Sequence, residues 1–329
     1  MRKMTIRVEQ WPLHEPFVIS RMPPMLHGEV IVVEVEQDGV MGRGECERMD
    51  VFEPDYPDVL KMVQSVKEAV ESGLTREALM QHLPSGAARN AVDCALFELE
   101  ANRAQQPIWE KAGFSQAPKA LTTVYTLSLG SAEAMAKEAR LHKHRPILKL
   151  KLGTENDLER VQAIRAAAPE PRLVIDANTG WRFSQLVSYI PHLANLGVEM
   201  IEQPLGEEEE HLLEGFESDI PLVADESCID RTSLAALKGR YQGVNIKLDK
   251  TGGMTEALAL LEEAKCQGFD IMVGCMIGTS LAMAPALLLA QHARWVDIDG
   301  PLLLAKDRLP ALGYDASTVH PEKGVWGRL

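Results

Sequence analysis

The order of apolar and polar positions divides the chain into two regions. Up to about residue 115, a β-prone run at 29–36 closes on the turn signal Gln-Asp-Gly, and helix-like runs follow at 57–72 and 86–104. A strand followed by helices is typical of an α+β unit. From about residue 120, short β-prone runs alternate with longer amphipathic runs. This change predicts that a second domain begins at residue 116.

In the second region, eight β-prone runs are separated by seven helix-like stretches. We predict strands at 121–127, 147–152, 172–176, 198–202, 220–225, 244–248, 270–274 and 294–298. Strands and helices that alternate in this way indicate a parallel sheet, and eight strands suggest closure into a barrel. The alternative is an open doubly wound sheet. That fold would require a glycine-rich first turn, and Leu-Ser-Leu-Gly-Ser is poor in glycine.

Residues 311–329 differ from both regions, because they contain glycine, proline and aromatic residues without a regular period. We expect this segment to return to the N-terminal part of the chain and to pack on it. The predicted fold class is therefore α/β, with an α+β domain at 1–115, a barrel at 116–310 and a returning segment at 311–329.

The composition is that of an ordinary globular protein, with 46% hydrophobic and 25% charged residues in a chain of 329. The net charge is -14 and no basic patch stands out, which argues against nucleic acid and anionic membranes as partners. The sequence has no signal-peptide pattern and no long apolar stretch. Five scattered cysteines without metal-ligand spacing indicate reduced thiols, so we expect a cytoplasmic protein. A homo-oligomer is compatible with this composition.

Two lysines one residue apart, Lys149 and Lys151, are unusual within a predicted strand. Because alternate side chains of a strand share a face, both ammonium groups point one way and the flanking leucines point the other. One interpretation is an edge strand with solvated lysines, and for the pair taken alone it is the better one. In the other interpretation, each charge lowers the pKa of its neighbour, so that a lysine can act as a general base.

Three carboxylates end three consecutive predicted strands, namely Asp176, Glu202 and Asp225. A single acid at a strand end usually caps the next helix. In a barrel, however, three such ends lie close together, and the charges would repel each other unless a cation lay between them. Ligands that are all oxygen atoms favour a hard cation such as Mg²⁺, and Mn²⁺ would also fit.

The geometry of an eight-stranded barrel brings more charged residues to this site. Strand two lies opposite strand six, so that Lys151 would face Lys247 across the mouth. Strand eight lies opposite the acids and ends in Asp297 and Asp299. A substrate carboxylate on the cation would place its α-carbon between the lysines and its far end near the two aspartates. This layout suits removal of a proton from one face of a carbon and return of a proton to the other face.

Six motifs give the chain a resemblance to the enolase superfamily, in its muconate-lactonizing subgroup. They are Lys-Leu-Lys, Asp-Ala-Asn-Thr-Gly-Trp, Ile-Glu-Gln-Pro, Ala-Asp-Glu-Ser, Asn-Ile-Lys-Leu-Asp-Lys-Thr-Gly-Gly and Asp-Ile-Asp-Gly-Pro. The resemblance implies a (β/α)7β barrel, a modified TIM barrel, under an α+β capping domain that both termini build. It also implies a small-molecule substrate and Mg²⁺ bound by Asp176, Glu202 and Asp225.

The resemblance implies a role for each lysine of the mouth. Lys151 is similar to one acid/base of the family and Lys247 to the other, with Lys149 beside Lys151 to lower its pKa. Lys250 competes with Lys247 for the second role. Its parity along the strand is opposite to that of Lys247, so we assign Lys250 to the helix side or the surface.

The reaction that the resemblance implies is the epimerisation of dipeptides of the L-Ala-D/L-Glu type. Two bases would move the proton, and the reaction would pass through a metal-stabilised enediolate. In the family, an Asp-x-Asp pair such as Asp297 and Asp299 receives the free ammonium of the dipeptide. Thr126 resembles a substrate-contacting threonine, although a helix cap is the other interpretation, and Cys275 is interpreted as a packing residue near the mouth.

Arg21 resembles an arginine of a mobile capping loop that pairs with a terminal glutamate carboxylate. A guanidinium fits a carboxylate in a bidentate manner, although a single arginine in a loop is otherwise a surface charge. The loop departs from the common pattern, because residues 22–27 are apolar and rich in proline. The identity of the second residue of the dipeptide therefore stays open.

Two alternative functions stay open. The nearer one is racemisation of an N-acylated amino acid such as N-acyl-glutamate, in which the ammonium is absent. The more remote one is a non-catalytic barrel that binds a ligand. Such a protein would not need all three acids and both lysines, and this chain has them.

Overall fold

Antiparallel strands open the chain and pair in the order β1-β2-β3. They are β1 (Arg2–Phe17), β2 (Met25–Gln37) and β3 (Val40–Glu47). The computed structural model that shows them describes residues 1–51 and 56–328. The turn between β2 and β3 is formed by Asp38 and Gly39, whose φ angles of 56° and 78° are both positive, as a type I′ hairpin turn requires. The predicted strand at 29–36 and its turn are confirmed.

A group of helices follows and packs against these strands. The helices are α1 (Val59–Ser65), α2 (Lys67–Glu71), α3 (Arg76–Leu79), α4 (Ala87–Arg103) and α5 (Ile108–Lys111). The predicted helix at 86–104 is confirmed as α4, whereas that at 57–72 is broken at Val66. Helix α4 lies directly on β3, since a Cβ atom at Gly42 would come within 2.0 Å of Ala95 O. Only glycine allows this close approach.

In the described part of the chain, eight parallel strands follow one another around a barrel in the order β5 to β12. They are β5 (Tyr125–Leu127), β6 (Ile147–Lys151), β7 (Arg172–Asp176), β8 (Val198–Glu202), β9 (Leu222–Ala224), β10 (Gly243–Lys247), β11 (Asp270–Gly274) and β12 (Trp295–Val296). The first and last strands meet at a seam, where Val124 N donates a hydrogen bond to Val296 O at 2.9 Å. The predicted barrel is confirmed, and the open doubly wound sheet is excluded.

Helices surround the barrel and connect its strands. They are α6 (Ala132–Leu141), α7 (Asp157–Ala167), α8 (Phe183–Asn195), α9 (Glu207–Glu210), α10 (Leu234–Leu237), α11 (Leu248–Thr251), α12 (Met254–Cys266), α13 (Ser280–Ala290) and α14 (Gly300–Leu303). Several are short. One of them, helix α11, begins at the residue that follows β10. This tight connection places helix residues as well as strand residues at the mouth of the barrel.

Alternate residues of the barrel strands face inward and outward. On β6, Leu148 and Leu150 belong to the large apolar core shared with the helices, whereas Ile147 belongs to a separate inner layer. That layer consists of Val124, Ile147, Val174, Met200, Val223, Met272 and Trp295. Lys149 and Lys151 continue the inward face of β6 toward the carboxyl end.

The edge-strand interpretation of Lys149 and Lys151 is wrong. Strand β6 lies between β5 and β7, and each of its five residues is buried. Both ammonium groups therefore point into the barrel, where only charged or polar partners can compensate for their loss of water.

Several predicted barrel strands are shorter than expected, among them 220–225, of which only Leu222–Ala224 is a strand. Of residues 121–127, only Tyr125–Leu127 forms a strand of the barrel, while β4 (Leu121–Thr122) pairs with another sheet. The chain turns between them because Thr123 N donates to Ser317 O and Thr123 Oγ1 accepts a hydrogen bond from Ile298 N. Of residues 294–298, only β12 is a strand.

The segment after the barrel contacts both regions. Strands β13 (Gly313–Asp315) and β14 (Thr318–His320) form a hairpin that pairs with β4. Farther along, Trp326 stacks on Phe97 with ring centroids 5.8 Å apart, and its Nε1–H donates to Arg43 O at 2.9 Å. The limits of the predicted domains, 1–115, 116–310 and 311–329, stay predictions.

Two properties concern the chain as a whole. Within residues 1–51 and 56–328, no helix combines the length and the apolar character that a membrane span requires. Each of the five cysteines is a free thiol.

Candidate active site and metal centre

A cavity of about 100 Å³ lies at the carboxyl ends of the barrel strands, which is where active sites of such barrels are found. On one side it is lined by residues of the N-terminal region, namely Phe17, Ile19, Arg21, Met22, Glu47 and Met49. On the barrel side it is lined by Thr126, Lys149, Lys151, Asn178, Asp225, Glu226, Lys247, Lys250, Cys275, Asp297 and Asp299, among others. The structure therefore brings predicted residues from distant parts of the sequence into one small space.

Asp176, Glu202 and Asp225 form an acidic triad next to this cavity, and Asp225 lines it. Each offers a carboxylate oxygen, and these three atoms lie within 4.8 Å of one another. The register of the strands explains this proximity, because Asp176 and Glu202 are direct partners at the ends of β7 and β8. All three residues are buried.

The electrostatics of the triad favour a bound cation. Burial and the neighbouring Asp176 raise the pKa of Glu202, because its negative charge lies out of water and next to another carboxylate. Asn245 Nδ2 donates to Glu202 Oε1 at 2.7 Å and orients the carboxylate. An all-oxygen donor set of this kind fits a hard divalent cation.

Lys149 lies at the centre of the acids. Its Nζ is 2.5 Å from Asp297 Oδ2, 2.7 Å from Glu202 Oε2 and 3.2 Å from Asp176 Oδ2. Burial opposes its charge, but Asp297, Glu202 and Asp176 together raise the pKa of Lys149 well above its ordinary value. Lys149 is therefore a fixed positive charge beside Lys151.

Lys151 and Lys247 approach the triad from opposite sides of the barrel. Lys151 Nζ is 2.6 Å from Asp176 Oδ2, and Lys247 Nζ is 2.7 Å from Asp225 Oδ2. Their strands, β6 and β10, are four positions apart in the order of the eight-stranded sheet. In a closed barrel this separation places them across from each other, as the sequence predicts.

Lys250 lies on the helix side, in α11, whereas the predicted alternative of a surface position is wrong. Its Nζ lies 2.6 Å from Asp225 Oδ1 and 3.1 Å from Asn245 O, and it also contacts the backbone carbonyl of Asp225. The reason is the tight turn into α11, which reverses the chain directly after β10. Strand parity no longer determines side-chain direction beyond Lys247.

Asp297 and Asp299 line the cavity and are buried, but they have different partners. Asp297 pairs with Lys149, whereas Asp299 Oδ2 accepts a hydrogen bond from Thr126 N at 2.7 Å. Burial and Asp297 raise the pKa of Asp299. Thr126 thus contacts Asp299 through its backbone. Burial raises the pKa of the Cys275 thiol well above its ordinary value, in keeping with a packing role.

Arg21 reaches a carboxylate that sequence reasoning did not identify. Arg21 NH2 lies 3.5 Å from Glu226 Oε1, and Asn178 Nδ2 donates to the same oxygen at 3.4 Å. Burial and Asp225 raise the pKa of Glu226, and Arg21 opposes this rise. The position of Glu226 directly after Asp225 was the sequence signal that could have identified it, because residues just beyond barrel strands line the mouth.

A second missed group joins the N-terminal region to the barrel. Glu45 on β3 accepts hydrogen bonds from Thr279 N at 2.7 Å and Thr279 Oγ1 at 2.6 Å, and it pairs with Arg308 at 3.0 Å. At a second point of contact, Asn90 Nδ2 of α4 donates to Asp249 Oδ1 of α11 at 2.7 Å. These buried contacts hold the N-terminal region over the cavity.

Comparisons with known proteins agree with this architecture. The family model described as "Mandelate racemase / muconate lactonizing enzyme, N-terminal domain" matches residues 1–113. The model described as "Enolase C-terminal domain-like" matches residues 131–307, which contain the acidic triad and the lysines.

Individual relatives are similar over most of the chain. The chain is 45% identical to the L-Ala-D/L-Glu epimerase of Escherichia coli (strain K12), over 97% of this chain and 100% of that protein. It is also 45% identical to the N-acetyl-D-glutamate racemase of a Pseudoalteromonas species, over 76% of this chain and 79% of the relative.

One crystal structure is similar over nearly the whole chain. It is that of an enolase family member from Agrobacterium tumefaciens with homology to dipeptide epimerases, and it holds bound sodium and L-Ala-L-Glu with an ordered loop. It superposes with a TM-score of 0.94 at 42% identity and covers 99% of this chain and 100% of that chain. The two matched domains, the barrel and the acidic triad lead to one conclusion. The chain belongs to the enolase superfamily, in the mandelate racemase and muconate lactonizing enzyme group.

Proposed function

We propose that this protein is a Mg²⁺-dependent dipeptide epimerase that inverts the α-carbon of the second residue, with L-Ala-D/L-Glu as its substrate type. The observation that carries the proposal is the placement of Lys151 and Lys247 on opposite sides of the acidic triad. The similarity to the Escherichia coli epimerase and to a structure that holds L-Ala-L-Glu supports the same substrate class.

In this proposal, Asp176, Glu202 and Asp225 hold Mg²⁺. When bound, the ion supplies stabilisation of the negative charge that develops on the substrate carboxylate as the α-proton leaves. Mn²⁺ suits the same donors. Lys149 adds a fixed positive charge next to this carboxylate.

The two remaining lysines move the proton. Lys151 takes the α-proton from an L residue, and Lys247 returns a proton to the opposite face. A D residue reacts in the reverse direction. Each lysine thus acts as base for one enantiomer and as acid for the other. Lys250 stays fixed to Asp225 and to the backbone, where it holds the third acid in place.

The rest of the cavity orients the dipeptide. Asp297 and Asp299 receive its ammonium group at one end, next to Thr126. Arg21 faces the side chain of the second residue from the N-terminal region. A carboxylate at the end of that side chain would fit its guanidinium.

Racemisation of N-acyl-glutamate is the second candidate. The observation that favours it is the contact between Asp297 and Lys149, which neutralises part of the charge of Asp297 without a substrate ammonium. The similarity to an N-acetyl-D-glutamate racemase supports it as well. The two substrates share a glutamate carboxylate and differ only at the nitrogen.

The test uses the Mg²⁺-loaded protein in D₂O with L-Ala-L-Glu and, separately, N-acetyl-L-glutamate. We expect deuterium at the α-carbon of glutamate, together with inversion, in the dipeptide. Greater uptake in N-acetyl-glutamate would favour the racemase. Absence of exchange in both, together with absence of Mg²⁺ binding, would support the non-catalytic barrel.

A further inference from the structure

Glu226 is an acidic residue of the cavity that the proposed proton transfer does not use. It follows Asp225 after β9, and one-quarter of its side chain (25%) is exposed. Its Oε1 lies 3.5 Å from Arg21 NH2 and 3.4 Å from Asn178 Nδ2. Its Oε2 is buried and accepts no hydrogen bond from the residues that the structure describes. The carboxylate therefore faces Arg21 with one oxygen and keeps unused acceptor capacity on the other.

Arg21 lies in the loop between β1 and β2, whereas Glu226 belongs to the barrel. Both residues line the same cavity, so their contact crosses the mouth. A carboxylate of the substrate that binds Arg21 must share the guanidinium with Glu226. Two carboxylates that approach one cation repel each other, and this repulsion weakens the binding of the second.

We propose that Glu226 determines substrate specificity by pairing with Arg21, so that it reduces the preference for dipeptides with an acidic second residue. This inference rests on the proposed function, because it takes Arg21 as the residue that contacts the second side chain. Neutral second side chains carry no charge for Glu226 to repel. The pair of Glu226 and Arg21 therefore makes the enzyme less selective for an acidic second residue than Arg21 without Glu226 would make it.

The test compares two substrates that differ only in their terminal group, L-Ala-L-Glu and L-Ala-L-Gln. The kcat/KM of each is measured for the Mg²⁺-loaded wild type, Glu226→Gln, Arg21→Gln and the double variant. We expect Glu226→Gln to raise the ratio of kcat/KM for the glutamate over the glutamine substrate by about three- to fivefold, the range of a partly exposed charge pair. In the Arg21→Gln background, the same change should shift the ratio less, because no guanidinium then holds the glutamate carboxylate close to Glu226.

A matched control is Glu214→Gln. Glu214 pairs with Arg240 at 3.4 Å on the surface, with 72% of its side chain exposed. This variant should keep the wild-type ratio. Glu226→Ala serves as a second replacement if the glutamine variant is poorly folded, and it should shift the ratio in the same direction.

Each other outcome overturns the inference. An unchanged or lower ratio in Glu226→Gln would show that Glu226 does not oppose an acidic side chain. A shift of the same size without Arg21 would show that Glu226 acts by another route. If the wild type turns over neither dipeptide, the proposed function fails, and the inference fails with it. A wild type that epimerises L-Ala-L-Glu beside an unchanged ratio refutes only the role of Glu226.

Discussion

Lys151 and Lys247 contact different acids of the triad. Lys151 Nζ lies 2.6 Å from Asp176 Oδ2, and Lys247 Nζ lies 2.7 Å from Asp225 Oδ2. We expect Lys151→Ala and Lys247→Ala each to lower the rate of epimerisation by about 10²- to 10⁴-fold, the usual contribution of a general acid or base. With L-Ala-L-Glu in D₂O, Lys247→Ala should still exchange the α-proton without inversion, because Lys151 stays in place.

A control for this prediction measures exchange of the α-proton in the substrate that carries the other enantiomer of glutamate, L-Ala-D-Glu. Lys151→Ala should exchange the α-proton of L-Ala-D-Glu and not that of L-Ala-L-Glu, as followed by NMR. Near-normal epimerisation by either variant would contradict the assignment of two bases. Lys265→Ala, which removes an exposed lysine that pairs with Glu262, should not change the rate.

The sequence predicted the residues that lie on strands better than those just beyond them. Asp176, Glu202 and Lys151 were accessible to prediction because strand parity and the order of the strands determine where they point. Glu226 lies two residues past the end of β9, and Lys250 lies three residues past the end of β10, where the chain turns and parity no longer applies. Their contacts depend on the conformations of loops, and these conformations leave no periodic pattern in the sequence.

At the scale of elements, helix α4 is joined to helix α12 of the barrel by Asp93. This buried carboxylate accepts a hydrogen bond from Thr255 N at 3.0 Å, in the first turn of α12, and another from the Thr255 hydroxyl. An acid at a helix N-terminus is favourable. Burial nevertheless raises the pKa of Asp93 from 3.8 to about 6, although Thr255 opposes the rise.

This pKa predicts how stability depends on pH. Well below pH 3.8 Asp93 is protonated in both the folded and the unfolded chain, whereas between pH 3.8 and about 6 it ionises in the unfolded chain and stays largely protonated in the folded chain. The free energy of unfolding of the wild type, relative to that of Asp93→Asn, should therefore fall by up to about 3 kcal/mol as the pH rises from 4 to 7. Urea titrations of both proteins at each pH measure this difference. Parallel pH profiles would contradict the prediction.

The sequence predicted the barrel because its alternation of strands and helices is a local pattern that repeats. It did not predict that residues 121–127 divide between two sheets. The division depends on the pairing of Thr318 with Thr122, which are far apart in the sequence. The break of the helix at 57–72 also had no clear sequence signal. Local patterns therefore predicted the types of the elements, and long-range pairing decided where some of them end.

At the scale of the whole molecule, we expect the buried acids to couple cation binding to the stability of the fold. A ligand that binds only the folded state stabilises it by about 2.7 kcal/mol at a concentration 100 times its Kd. For a chain of this size, MgCl₂ should accordingly raise Tm by several degrees, about 5 °C. Thermal unfolding followed by circular dichroism, with and without MgCl₂, measures the shift.

Glu202→Gln should lose most of this shift, because the triad then lacks one anionic ligand. NaCl at equal ionic strength controls for general salt effects, and Glu214→Gln controls for the loss of a surface charge. An equal rise in Tm for the wild type and Glu202→Gln would place the Mg²⁺ elsewhere.

The contact between Trp326 and the N-terminal region has a consequence for the nascent chain. Trp326 is synthesised 283 residues after Arg43, the residue whose carbonyl it binds, and its ring stacks on Phe97 of α4. Because synthesis proceeds from the N-terminus, β1–β3 and α4 are translated before the barrel and before Trp326. Until Trp326 is synthesised, its indole cannot contact Phe97 or Arg43. We therefore expect the N-terminal region, although it is translated before the barrel, to be among the last parts of the chain to complete its packing.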